Sequence, residues 1–298
     1  MAYQNVGTPR FYINMLEYLD AVGYTEIGDA LRTNPTSVKP AGTYGAYIPK
    51  GIFREKSFVA FLGHAGGSGY VIYTDYTNDI SVNANISGSS WLGLEPEYAG
   101  FSIASFNGID ISDDDFITTW VSPQNEGIGS IVVGTYYNMP HSPDLNLKLS
   151  YEYDGVKTTQ AKNGATLSNA MYTKPADWWN GGAWQLGSVP NHRTGRRIWD
   201  LQFSYLAESD IFPDNASTSF LTGDEQDDFD FNVLHDNDFF SAVWNKTLGN
   251  ALPFIFQPDK NNSNSDQFAI CKFVNDTLQY ERIAHNIYNF KLKIQEVW

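Results

Sequence analysis

"IWDLQFSYL", residues 198–206, sets Trp199, Leu201, Phe203 and Tyr205 on one side of an extended chain, against Asp200, Gln202 and Ser204 on the other. Successive side chains of a strand point to opposite faces, so a period of two marks a strand with one dry face and one wet face. The pattern recurs upstream, where Leu145, Leu147, Leu149, Tyr151 and Tyr153 alternate with Asn146, Lys148, Ser150 and Glu152. It recurs at the end of the chain, where Tyr288, Phe290, Leu292 and Ile294 alternate with Asn289, Lys291 and Lys293. Half-buried antiparallel strands are expected at all three places.

The first half reads differently. "SFVAFLG", "GYVIYT", "GFSIASF" and "GSIVVGTYY" are short apolar runs bounded by Gly, Ser and Asn, the spacing of a sandwich or jelly roll. The change of pattern falls at "YYNMPHSPD", whose Pro140 and Pro143 mark a boundary. The expected fold is therefore mainly β: an N-terminal jelly-roll-like β-sandwich over 1–142, then a C-terminal antiparallel β domain over 143–298 with one α-helix. That helix is expected near 238–248. In "HDNDFFSAVWNKTLG", Phe240, Val243, Trp244 and Thr247 fall at helical spacing, an Asp or Asn precedes them as a cap, and Gly249 follows as a stop. "INMLEYLDAVG" near the start carries a weaker version of the same pattern.

Composition narrows the function. The 298 residues include 8 Trp, 18 Tyr and 19 Phe, so aromatic rings carry much of the burial. A net charge of -15 opposes binding to nucleic acid or an anionic bilayer, since both are polyanions. No run of about 18 apolar residues is present to span a membrane. "MAYQNVGTPRFYINML" lacks the charged start and apolar core of a secretory signal, so synthesis in the cytoplasm is expected. The single Cys271 has no partner for an internal disulfide and sits among Phe268, Ala269 and Ile270, where a buried thiol is expected.

Chemical signatures are sparse. His64, His141, His192, His235 and His285 stand singly, without metal-ligand spacing. The acidic stretches at 112–116 and 223–231 lack the spacing of a calcium loop. "GHAGGSGY" at 63–70 is Gly-rich but lacks the Lys and Ser/Thr of a phosphate loop, and no G-x-S-x-G elbow occurs. No metal, cofactor or catalytic residue is expected.

Three constellations instead suit contacts between subunits. "DWWNGGAWQLG" gathers Trp178, Trp179 and Trp184, and exposed indoles mean a protein interface or sugar stacking. "NHRTGRRIWD" gathers Arg193, Arg196 and Arg197, a basic knot suited to the acidic surface of another copy. "PFIFQPDKNNSNSDQFAICKF", residues 253–273, separates two apolar runs by a long polar tip holding Lys260, Asn261, Asn262 and Asn264. A two-residue turn would join two strands, so the tip is expected to be an arm that reaches a neighbour.

The stretch from "IGSIVVGTYYNMPHSPDLNLKLSYEYDG" through "RTGRRIWDLQFSYLAESDIF", "NDFFSAVWNKTLG" and "LPFIFQPD" to "KLKIQEVW" resembles the minor tail and tail-tip structural proteins of tailed bacteriophages. The part from "FVAFLGH" onward is similar to the galactose-binding-like jelly rolls that some of them carry. The resemblance implies a virion protein of the tail tip or baseplate, assembling as a homo-oligomeric ring and attaching other tail proteins. The rival expectation is a carbohydrate-binding protein that recognises a host-surface glycan through its Trp loop or jelly-roll loops. A tail enzyme would need two opposed carboxylates, and no pair can be named.

Overall fold

A computed structural model describes residues 6–33, 42–48, 56–64, 67–75, 80–87, 100–106, 115–123, 128–152, 156–170, 196–213, 237–264 and 267–297. The first eight strands are β1 (Arg10–Asn14), β2 (Gly42–Ile48), β3 (Ser57–His64), β4 (Gly67–Asp75), β5 (Ile80–Ser87), β6 (Gly100–Phe106), β7 (Asp115–Pro123) and β8 (Ser130–Asn138). They are followed by β9 (Lys148–Glu152), β10 (Val156–Gln160), β11 (Thr166–Ala170), β12 (Arg196–Ala207), β13 (Phe254–Gln257), β14 (Ala269–Phe273), β15 (Tyr280–Ala284) and β16 (Ile287–Glu296). Two short α-helices are α1 (Met15–Ala21) and α2 (Glu208–Ile211). The fold is mainly β and antiparallel, of sandwich type, with few helices.

A ten-stranded sheet runs β6-β3-β8-β1-β13-β14-β16-β12-β9, with β15 paired to β16; a four-stranded sheet runs β2-β7-β4-β5, and β10 and β11 form a separate hairpin. The large sheet draws β1, β3, β6 and β8 from the first 142 residues and the rest from beyond them, so the expected boundary at 142/143 lies inside one continuous sheet. The physical reason is β1. Its sequence "RFYIN" is apolar on both faces, so it is fully buried only as a central strand, and it pairs with β8 on one side and β13 on the other.

Alternation divides the sheet's buried residues between two cores. Phe11, Ile13, Val59, Phe61, Ile131, Val133, Trp199, Leu201, Phe203, Leu292 and Ile294 face one, together with Leu16 and Leu19 of α1. Tyr12, Phe58, Ala60, Leu62, Phe101, Ile103, Val132, Ile255 and Ile270 face the other. In a flat sheet β6 and β14 would be five strand spacings apart, about 24 Å. Yet the rings of Phe101 in β6 and Phe268 beside β14 lie 5.7 Å apart, so the sheet is rolled around the second core. Where β1 gives way to α1, the backbone runs against Gly134: a Cβ there would sit 1.8 Å from the Ile13 carbonyl oxygen. Asn14 caps α1 by accepting the Glu17 N–H, and its amide donates to the Leu31 carbonyl and Thr33 hydroxyl.

Three local expectations are corrected. In β12 the dry face holds as far as Phe203, but a bulge between Phe203 and Leu206 exchanges the next two positions. Tyr205, at φ 62, is exposed, and Leu206 is buried in its place. Of the apolar positions at 145–151, Leu147 and Leu149 are half-buried against the large core, while Leu145 and Tyr151 are exposed. β9 lies at the end of the sheet, where no further strand pairs with it among the described residues. The helix expected near 238–248 forms around a π-helical turn, Phe240–Trp244, with Asn245 N donating to the Phe240 carbonyl. Its buried side holds Phe239, Ser241, Val243, Lys246 and Thr247, while Phe240 is half-buried and Trp244 packs half-buried against Phe273. Asp238 caps it through Ser241 N at 2.9 Å, and Gly249 ends it at φ 67.

Candidate functional site

Of the basic knot, Arg193 lies outside the described residues, and the other two arginines are occupied within their own chain. Arg197 is 2% exposed. Its Nη2 lies 3.1 Å from Glu296 Oε1, its Nε donates to Glu296 Oε2 at 3.2 Å, and its backbone N–H donates to the same Oε2 at 3.0 Å. Nη2 also donates to the Phe268 carbonyl at 3.0 Å, and the guanidinium lies over the Trp199 ring at 5.1 Å. Burial by itself would weaken this base, but the Glu296 carboxylate, with Cys271 and Tyr151 adding to it, holds it above its ordinary range. The expectation that Arg197 meets a neighbouring subunit is overturned: it holds the end of β16 to the start of β12. Arg196 is half-buried, with Nη2 3.8 Å from Glu152 Oε2.

The polar tip after β13 folds onto its own chain. Lys260 N donates to the Thr8 carbonyl, Asn262 N to the Asp259 carbonyl, and Gln267 N to the Asn264 carbonyl. Asn261 N donates to Asp259 Oδ1, Asn264 N to Asn262 Oδ1, and Gln257 Nε2 to the Asn262 carbonyl at 2.9 Å. Gln257 in turn accepts from the Tyr12 hydroxyl in the centre of the sheet. The length of the loop therefore serves a ladder of internal turns and a seat on residues 7–8, and Asn261 and Asn264 remain exposed. Trp178, Trp179 and Trp184 lie outside the described residues.

What the fold leaves open is elsewhere. β9 ends the large sheet with Lys148, Ser150, Tyr151 and Glu152 exposed, and the neighbouring Leu145 is fully exposed. Beyond it the β10–β11 hairpin forms its own two-stranded sheet, with residues 158–160 and 162–167 exposed, Leu167 among them. A two-stranded hairpin is marginal by itself in water, so one with exposed side chains at 158–160 and 162–167 suits a contact with something else. A polar cleft of about 650 Å³ opens on the face of β15 and β16, lined by Gln202, Asn275, Asp276, Gln279, Glu281 and Lys291 among others.

The buried titratable groups support the core. Burial pushes the Cys271 thiol well up. Burial also pulls the Lys246 amine down to about 7, against the opposing pull of Asp238, and Nζ lies 4.9 Å from the centre of the Tyr18 ring. Burial raises Tyr137 and Tyr280, and Asp238 adds to both. Among the described residues no group of His, Cys, Asp or Glu could hold a metal ion, and no helix is long and apolar enough to cross a membrane. Compared with known protein families, curated proteins and solved structures, the chain matches none.

Sequence reasoning missed Glu296, although the signal was present. Arg197 falls in phase with Trp199 and Leu201, and Glu296 in phase with Leu292 and Ile294. Opposite charges on the dry faces of two strands predict a buried pair.

Proposed function

We propose that the chain is a structural subunit of a bacteriophage tail tip or baseplate, acting by assembly with its own copies and with other tail proteins rather than by catalysis. The observation that carries this is the end of the large sheet: among the described residues no strand pairs with the outer edge of β9, Leu145 is exposed, and the β10–β11 hairpin forms a sheet of its own. Apolar side chains and unpaired strand edges of this kind are what subunits cover in one another. The resemblance of the second half to tail-tip proteins supports the same reading. Native mass spectrometry of the purified chain tests assembly, and immunogold labelling of phage particles carrying it tests location. One discrete closed oligomer and label at the tail end are expected. A monomer at every concentration, or label on the capsid, would refute the proposal.

The polar cleft favours a second reading, recognition of a host-surface glycan. Amides and carboxylates along a shallow cleft are the groups that hydrogen-bond sugar hydroxyls. A glycan array separates the two: a recognition protein binds a discrete sugar, and Asn275→Ala with Gln279→Ala abolishes that binding, whereas a scaffold binds none.

A further inference from the structure

Among the described residues β9 is the edge strand of the large sheet, short and carrying Lys148 and Glu152. Its five residues pair with β12 in unbroken register, with neither bulge nor proline, and four of the five side chains are exposed. Its side chains are also arranged symmetrically by charge and type. Lys148 stands two residues before Ser150 and Glu152 two residues after it, with Leu149 and Tyr151 between.

We propose that β9 pairs antiparallel with β9 of a second copy about a twofold axis through Ser150, joining two large sheets into one. In that register Lys148 faces Glu152 of the second copy, twice over, and Leu149 faces Tyr151 of the second copy, twice over. Both are favourable cross-strand pairs. Competing arrangements lose them. A parallel, in-register pairing sets Lys148 against Lys148 and Glu152 against Glu152. An antiparallel axis through Leu149 sets Lys148 against Ser150. Charge therefore selects both direction and register, and the axis is isologous, so the contact closes on two copies. Glu152 is available for it: beside Arg196 and Gln295, its side chain remains 47% exposed. Tyr151, 38% exposed in the single chain, is covered.

The pairing rests on the self-assembly reading, yet the two fail separately. A chain that associates through another surface loses this proposal alone, and a chain that never associates loses both. The experiment uses the purified full chain. With Ser150→Cys, the two thiols meet on the axis at the Cα separation of directly opposed strand residues, within disulfide reach. With Glu152→Cys, the two thiols sit about 14 Å apart, four residues out of register. The native thiol is buried and does not compete. Mild oxidation is expected to link Ser150→Cys into a dimer at least about tenfold faster than Glu152→Cys; equal rates, or no link in either, would overturn the pairing. In sedimentation velocity, Lys148→Glu and Glu152→Lys are each expected to be monomeric. Their equimolar mixture is expected to form a heterodimer, because each supplies the charge the other lacks. If both variants give native circular dichroism and the mixture stays monomeric, the proposal is wrong. If either misfolds, the cysteine pair decides.

Discussion

β12 and β9 lie side by side in one sheet with the same apolar–polar period, and their fates are opposite. In β12 every second residue from Arg197 to Phe203 is buried, whereas in β9 only Leu149 is even half-buried. Trp199 and Leu149 are directly opposed in register, one at 0% exposure in the core and the other at the rim. The difference is coverage. β12 has a strand on each side and the core beneath it, while β9 has β12 on one side and, among the described residues, no strand on the other. Periodicity reports that a segment is a strand with two unlike faces; it does not report what lies against the apolar one. The same contrast appears in charge. Arg197 and Glu296 satisfy one another in the core, whereas Lys148 and Glu152 lie at the exposed end of the sheet, opposite Asp200 and Arg196 of β12.

The sharpest way to break the contrast is Arg197→Met, which strands the buried Glu296 carboxylate and should cost about 3–5 kcal/mol in urea denaturation. Adding Glu296→Leu should recover most of the loss, because the pair is then replaced by apolar packing. A loss under 1 kcal/mol for the single change would mean that Glu296 finds water or another donor. Gly134→Ala drives a methyl group into the Ile13 carbonyl where the central strand meets α1, and should cost about 3 kcal/mol. No comparable loss is expected from Gly164→Ala on steric grounds, because a Cβ there meets nothing within 4 Å, although its φ of 81° adds some strain.

Lys246 extends the contrast to a buried charge without a guanidinium's fork. Its folded value of about 7 lies below its unfolded value, so the unfolded chain binds the extra proton between about pH 7 and 10.5. The contribution of this group to stability therefore rises with pH across that window, and its cost is greatest at pH 7 and below. Lys246→Met should abolish that rise, so that the native chain gains about 3 kcal/mol relative to the variant between pH 7 and pH 10. Thermal midpoints of both proteins at pH 7, 8.5 and 10 would show it, and a difference between them independent of pH would contradict the assignment. Replacing residues 260–265 with Asn-Gly removes the Lys260–Thr8 and Gln257–Asn262 hydrogen bonds and should cost about 1–2 kcal/mol. An unchanged midpoint would show the tip to be a free arm after all. Smallest of all, Tyr151→Ser on the open edge should change the stability of the single chain by no more than about 0.5 kcal/mol. A larger loss would place β9 in the core with β12.

From the amino-acid order alone come the elements whose cause is local. The period of two at 288–294 placed Phe290, Leu292 and Ile294 inward, and they are buried. The cap at Asp238 and the stop at Gly249 were legible because capping depends on a few adjacent residues. So was the burial of Cys271 in an apolar run. Tertiary structure alone decided three things. It made β1 the central strand that joins both halves, because pairing with β8 and β13 brings together residues more than a hundred positions apart. It turned Tyr205 outward, because the bulge that flips it exists only against β16. And it put Arg197 inside rather than at a subunit contact, because Glu296 lies 99 residues away and reaches it only through the pairing of β12 with β16. Periodicity and caps act over one or two turns of chain, whereas coverage, bulges and ion pairs depend on which strand becomes the neighbour, and that choice is made by the whole sheet.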